Sequence, residues 1–207
     1  MKTAFCFDLD GTLTSQEILP ELAKKIGLHE EIDILTKITM NGLMTFDKSF
    51  KLRVKLLSTV PINEVEDIVM NIETDPHLKE FVRLNQDHTY IVTGNLDVWV
   101  DKFIRENYGC NYFSSTGDRD GEKLLGLNSI LYKSDAIEQL KNQYDYIVVI
   151  GDGMNDCSMF EKANLAIAYG GVHDPVETLI SLSHAVVYDG KSLVKLLTSI
   201  KEQNDEN

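Results

Sequence analysis

Asp8 and Asp10 stand directly after the apolar run Ala4-Phe5-Cys6-Phe7 and just before Gly11-Thr12-Leu13. In extended backbone, residues two apart project to the same side, so both carboxylates can face one place at the end of a strand. Gly11 permits an abrupt turn there. Two carboxylates this close repel unless a cation lies between them or one holds a proton, and both conditions suit phosphoryl transfer. A solvated acidic turn and a calcium loop are the competing readings. The calcium loop needs further oxygen ligands at set positions, and Leu13 and Ile18 do not fit that layout.

A second acidic cluster, Gly151-Asp152-Gly153-Met154-Asn155-Asp156, follows the apolar run Tyr146-Ile147-Val148-Val149-Ile150. Asp152 is placed to complete a metal site, and Asn155 and Asp156, one turn on, can order it. A hard divalent cation held by few carboxylates and several waters describes Mg2+ better than zinc. Alone, this stretch reads as a surface turn; its pairing with the earlier acidic strand end overrides that. Between the two clusters, Thr93-Gly94-Asn95 ends a third apolar run, Thr89-Tyr90-Ile91-Val92. It offers a hydroxyl, N–H groups and an amide where a helix is expected to begin, a fair phosphate seat. Lys133 precedes Ser134-Asp135-Ala136-Ile137, which reads as a helix start capped by Ser134. A single threonine or lysine is weak evidence by itself.

Positioning these groups takes a sheet. The three runs, with Leu165-Ala166-Ile167-Ala168 and a fifth candidate at Ala185-Val186-Val187-Tyr188, read as buried strands separated by helical patterns. The expected fold class is α/β, with a doubly wound parallel sheet. The stretch from Phe7 to Thr89 is too long for one crossover, and apolar stripes run through it. Ile18, Leu22 and Ile26 form one, Phe46, Phe50, Val54 and Leu57 a second, and Val65, Ile68, Val69 and Ile72 a third. A small helical domain inserted at 15–75, within a core of 1–14 and 76–207, is the economical reading; helices packed directly on the sheet are the alternative. Ser114–Gly121 is polar and reads as a turn or hairpin tip. The charged tail from Lys201 to Asn207 is expected to fray.

Composition narrows the partners. With 43% hydrophobic and 26% charged residues, the chain reads as an ordinary globular protein. Its 33 acidic against 20 basic residues give a net charge of −13, which argues against nucleic acid or an anionic membrane as partner. Cys6, Cys110 and Cys157 are odd in number and scattered, so they read as packing residues in a reducing compartment. The start shows no secretion signal and no run reaches membrane-spanning length, so the cytoplasm is the expected location.

Taken in order, D-x-D-G-T-L, T-G-N, K and G-D-G-x-N-D resemble the four motifs of the haloacid dehalogenase superfamily of phosphatases, from Asp8 to Asp156. The resemblance implies a Rossmann-like core, Asp8 as nucleophile, Asp10 as acid/base, Thr93 and Lys133 as phosphate-holding groups, and Asp152 as a magnesium ligand. It also implies metal contact from Asp8 and from the main-chain carbonyl of Asp10. Within the insertion, Glu17, Gly42, Phe46 and Lys51-Leu52-Arg53-Val54 are similar to the phosphoserine phosphatase branch. There the glutamate and arginine clasp a substrate's amino and carboxylate groups and the phenylalanine closes over it, roles that fall on Glu17, Arg53 and Phe46. The branch usually carries Ser-Gly-Gly where this chain has Thr93-Gly94-Asn95.

The expected activity is therefore magnesium-dependent hydrolysis of a small phosphorylated metabolite through an aspartyl-phosphate. A phosphatase for another small monoester, a phosphotransferase using the same residues, and a non-catalytic binding module are the alternatives. The last would be expected to lose a carboxylate, and this chain keeps the full set. Dehalogenases of the superfamily lack the second acid, which argues against halide chemistry.

Overall fold

In the computed structural model, which describes residues 1–40 and 43–205, seven strands form one sheet. They are β1 (Thr3–Phe7), β2 (Thr89–Leu96), β3 (Asn111–Asp120), β4 (Lys123–Ser129), β5 (Tyr146–Gly151), β6 (Leu165–Tyr169) and β7 (Ala185–Val187). The spatial order is β4-β3-β2-β1-β5-β6-β7, with every pairing parallel except β3 with β4. The chain leaves β1 toward β2 and later returns to lay β5 on β1's other side. Such a reversal opens a crevice at the carboxyl ends of the two central strands.

The central strands are apolar on both faces because both are covered. Phe5, Phe7, Ile91, Val148, Ile150 and Ile167 point into one core, and Ala4, Cys6, Val92, Ile147, Val149 and Ala166 into the other. The second core is closed by helices α7 (Lys133–Leu140), α8 (Cys157–Phe160) and α9 (Glu177–Leu182). The first is closed by α5 (Pro76–Leu84), α6 (Asp97–Asn107) and α10 (Gly190–Asp205). Asp75 caps α5 by accepting from the His77 and Leu78 amides at 2.8 and 3.0 Å, with Pro76 in the first turn.

Between β1 and α5 lie α1 (Ile18–Ile26), α2 (His29–Met40), α3 (Phe46–Leu57) and α4 (Ile62–Met70). The three stripes read from the sequence fall on α1, α3 and α4, while α2, with its weaker periodicity, was not among them. The chain enters and leaves this segment side by side. Thr14 bridges Thr74, the Ser15 amide donates to the Glu73 carbonyl at 2.9 Å, and the Asp75 amide to the Leu13 carbonyl at 3.3 Å. The apolar faces of α1, α3 and α4 are nonetheless continuous with the first core.

Three local expectations are corrected. Ser114–Asp120 is strand, and the hairpin tip is the tighter turn at Gly121 and Glu122, which lies against α4: the Ile62 and Asn63 amides donate to Glu122. Helix α7 begins at Lys133 itself after Tyr132, so Ser134 lies inside it and is no cap. The tail is helical to Asp205, held because buried Asn204 donates to Thr3 Oγ1 at 3.0 Å and accepts from the Met1 amino group at 2.5 Å.

Candidate active site

Asp8 is the first residue past β1, and its amide still donates to the Ile150 carbonyl at 2.9 Å, so the ends of β1 and β5 are locked together. That pairing sets Asp8 beside Gly151 and Asp152. A Cβ on Gly151 would lie 2.5 Å from the Asp156 carboxylate, so only glycine lets that side chain fold back beneath the strand end. Gly11 has φ of +70°, and a Cβ there would meet Asp152 Oδ2 at 2.4 Å. Both its conformation and the approach of Asp152 exclude a side chain.

Lys133 reaches this place from the first turn of α7. Its Nζ lies 2.5 Å from Asp8 Oδ1 and 2.6 Å from Asp156 Oδ1, and all three side chains are almost fully buried. Asp156 Oδ2 accepts from the amides of Asp152 and Gly153 at 3.1 and 3.0 Å, and Asp152 Oδ1 accepts from the Thr12 hydroxyl at 3.2 Å. A cation at a helix amino terminus opposes the helix dipole, so the two carboxylates are what hold Lys133 there. Burial alone would lower its pKa, but Asp156 and Asp8 outweigh burial and raise it.

The carboxylates are left short of positive charge. One oxygen each of Asp8, Asp152 and Asp156 lie within 4.8 Å of one another, with one lysine among them. Burial, with Asp156 nearby, pushes the Asp8 pKa well above the ordinary range against the pull of Lys133. The same two causes raise Asp152 to about 7. A site that disfavours its own carboxylate charges in this way fits a bound cation. Asp156 already spends both oxygens on Lys133 and two amides, so Asp8 and Asp152 are the side chains free to hold one.

Asp10 faces elsewhere. Its Oδ1 accepts from the Ile18 amide at 2.9 Å, at the start of α1, and its Oδ2 from Asn95 Nδ2 at 2.5 Å. Burial raises its pKa to about 6, partly offset by these two hydrogen bonds. Asn95 Nδ2 and its main-chain amide also donate to Thr93 Oγ1, at 3.1 and 3.2 Å. Thr93-Gly94-Asn95 does not begin a helix: β2 continues to Leu96 and α6 starts at Asp97. Instead the register with β3 shifts between Val92 and Leu96, and the Ser115 hydroxyl takes up the Gly94 carbonyl at 2.8 Å.

The groups expected to recognise substrate approach from the helices. Phe46 opens α3, stacks on Phe50 at 5.7 Å, and brings its ring tip within 3.9 Å of where a Gly94 Cβ would stand. Arg53 donates to Thr36 Oγ1 at 3.1 Å, while its buried Nε has no partner among the described residues. Glu17 lies near enough to bear electrostatically on both Arg53 and Asp10. Asn155 is exposed at the rim and Gly42 lies outside the described residues. Two contributors escaped the sequence reading. Thr12 lay inside the first motif and its contact with Asp152 was there to be asked about. Tyr132, whose hydroxyl donates to Asp47 Oδ2 at 2.7 Å, carried no signal beyond its place next to Lys133.

A family model described as haloacid dehalogenase-like hydrolase matches residues 2–164. The phosphoserine phosphatase of Methanocaldococcus jannaschii is 35% identical, over 81% of this chain and 85% of that protein. That of Archaeoglobus fulgidus is 30% identical, over 81% of this chain but 52% of the longer relative. A solved phospho-aspartyl intermediate analogue of phosphoserine phosphatase superposes with a TM-score of 0.77 at 29% identity, covering 94% of this chain and 98% of that one. A substrate-bound phosphoserine phosphatase complex gives 0.76 at 28%, over 94% and 97%.

Proposed function

The chain belongs to the haloacid dehalogenase-like hydrolases and is a phosphatase; on that premise we propose that it hydrolyses phosphoserine with Mg2+ through an aspartyl-phosphate on Asp8. The observation that carries the mechanism is the buried Asp8–Lys133–Asp156 arrangement at the strand ends, with Asp152 beside it and Asp10 set apart. An anionic phosphate ester and a carboxylate nucleophile repel, so positive charge has to be in place beforehand. Lys133 is held there by two carboxylates, and Thr93 offers a hydroxyl to the phosphoryl oxygens. Asp8 and Asp152, with the main-chain carbonyl of Asp10, would hold Mg2+, which when bound offsets further negative charge on the phosphoryl group. Asp8 attacks phosphorus, forming the O–P bond as the ester O–P bond breaks. Asp10 gives its proton to the departing alkoxide, then takes one from the water that releases phosphate and frees Asp8. A carboxyl with a pKa near 6 is suited to exchange a proton in both directions near neutrality.

Phosphoserine is supported by the relatives' own substrate and by the helical groups. Arg53 presents a buried nitrogen without a partner among the described residues and Glu17 an opposite charge nearby, a pair that suits a zwitterion. Phe46 over Gly94 suits a lid on the phosphate seat. We read 15–75 as a helical cap on this basis, its two connecting strands running side by side at Leu13–Ser15 and Glu73–Asp75. Asn95, where this chain departs from Ser-Gly-Gly and so could suit a different small monoester, turns its amide toward Asp10 and Thr93, which weakens that second reading. No helix among the described residues is long and apolar enough to cross a membrane, and the cytoplasm is the proposed location.

Phosphate release from a panel of small phosphomonoesters with Mg2+, phosphoserine included, tests both halves. Preference for phosphoserine by at least about tenfold in kcat/KM is expected. Phosphate appearing only when an acceptor alcohol is added would make the protein a phosphotransferase, and indifference to phosphoserine would remove the substrate.

A further inference from the structure

We propose that Asn95 is a positioning residue that fixes the Asp10 carboxyl group against the phosphate seat, and so sets how well the enzyme cleaves esters with poor leaving groups. The inference rests on the reading of Asp10 as the acid/base. Asn95 is 3% exposed, so its amide has to find its partners inside the protein. The side-chain NH2 has two hydrogens, and the structure directs one to Asp10 Oδ2 at 2.5 Å and the other to Thr93 Oγ1 at 3.1 Å. The amide is oriented with its nitrogen rather than its oxygen toward Asp10. With both hydrogens spent, Asn95 has no side-chain donor left for a phosphate oxygen, although its place in Thr93-Gly94-Asn95 suggested that use.

The geometry gives the amide another task. The Ile18 amide holds Oδ1 of Asp10 at 2.9 Å, and one bond leaves the carboxyl free to swing about it. Asn95 supplies the second point, which fixes the plane. The same amide grips Thr93, so one side chain sets the spacing between the group that seats the phosphate and the group that protonates the departing oxygen. Proton transfer requires that spacing to be right within a few tenths of an ångström. A glycine at this position would have no side-chain amide to do this.

The test separates leaving-group protonation from phosphate binding. Asn95→Gly and Asn95→Ala are assayed on p-nitrophenyl phosphate, whose leaving group departs unprotonated, and on the alkyl monoester the wild type turns over best. Because kcat/KM reports steps up to departure of the alcohol, it should fall about 10- to 100-fold on the alkyl ester and less than about threefold on the aryl ester. On the aryl ester kcat and KM should fall together, since the later attack of water still needs Asp10. The inhibition constant of inorganic phosphate should stay within about twofold of wild type. Equal losses on both esters, or a weakening of phosphate inhibition by about tenfold, would return Asn95 to the phosphate seat and overturn the proposal. So would no loss on either ester. Asp10→Asn serves as the control. If it too hits both esters alike, the acid/base reading itself fails; if it spares the aryl ester and the Asn95 variants do not, only this inference falls.

Discussion

Charged groups gathered at the carboxyl ends of β1 and β5 are held by several partners each, whereas Glu17, just before α1, and Arg53 on α3 are barely held. Lys133 has two carboxylates, and Asp156 has Lys133 and two main-chain amides. Arg53 has one hydroxyl and an unpartnered Nε, and Glu17 stands exposed. The first group is buried where a wrong geometry leaves an uncompensated charge, which is strongly penalised. The second awaits a partner that the protein does not contain. Bond-making chemistry tolerates little displacement, so its groups are buried and tied to one another; recognition needs a ligand to complete it, so its groups keep unused bonding capacity.

The sharpest way to test that contrast is to remove the nucleophile. Asp8→Asn cannot form an acyl phosphate, and turnover should fall by at least about 10⁴-fold. Because Asp8 is disfavoured as an anion by burial and by Asp156, the amide should not lower the unfolding temperature measured in EDTA. Substantial retained hydrolysis would falsify the covalent mechanism, and a large loss of stability would mean that Asp8 is chiefly a partner for Lys133.

The metal comes next. EDTA should abolish activity, Mg2+ should restore it, and Asp152→Asn should weaken Mg2+ binding by about tenfold or more. Asp152 and Asp10 have folded pKa values near 7 and 6, above the ordinary value of 3.8. Between those values the folded state binds more protons than the unfolded, so in EDTA these two groups lower stability as pH rises from about 4 to 7. Mg2+ competes with those protons at Asp152. The gain in unfolding temperature on adding Mg2+ should therefore grow from pH 5 to pH 8, as thermal melts at fixed ionic strength would read. A gain independent of pH would place the ion away from Asp152.

The same contrast explains what the sequence made legible. The apolar runs that stop at Asp8, at Thr93 and at Gly151-Asp152 could be read because buried parallel strands are continuous apolar runs and a polar residue stands out where each run stops. That β1 and β5 are neighbours, and that Asp156 rather than Asp10 joins the cluster through its side chain, depends on a long-range pairing no local pattern carries. Ser114–Gly121 reads from sequence as a turn or hairpin tip because it is polar; it belongs to a hairpin at the sheet's edge, with water on one side, and needs no apolar alternation. Helix α2 escaped for the opposite reason: its contacts are with α1 and α3 rather than with the sheet, and no clean stripe marks it.

On the helical side, Arg53→Ala should reduce kcat/KM for phosphoserine by about 100-fold, the order expected when a charged contact of about 2–5 kcal/mol is lost. Arg53→Lys should recover little, since a lysine cannot grip a carboxylate through two parallel hydrogen bonds. The p-nitrophenyl ester has no amino-acid group and should be affected much less, by under about fivefold. Equal losses on both would make Arg53 a structural group that holds α2 to α3 through Thr36.

The smallest expected effect belongs to the join between the two regions. Tyr132 immediately precedes Lys133, and its hydroxyl donates to Asp47, the residue after Phe46 on α3. The core thereby holds the end of α3 whose phenylalanine stands over Gly94. Tyr132 is exposed and Asp47 half-buried, so the bond lies at the surface and contributes at the lower end of the usual range for a charged hydrogen bond. Tyr132→Phe should then raise KM for phosphoserine about two- to fivefold, because Phe46 spends less time over the seat, and leave kcat nearly unchanged. The main chain at the start of α7 is unchanged, so Lys133 keeps its place. Salt should narrow the difference between variant and wild type, since the bond to the carboxylate lies at the surface. A fall in kcat without a rise in KM would show instead that Tyr132 acts through Lys133, and would move it from the recognition side of the molecule to the catalytic side.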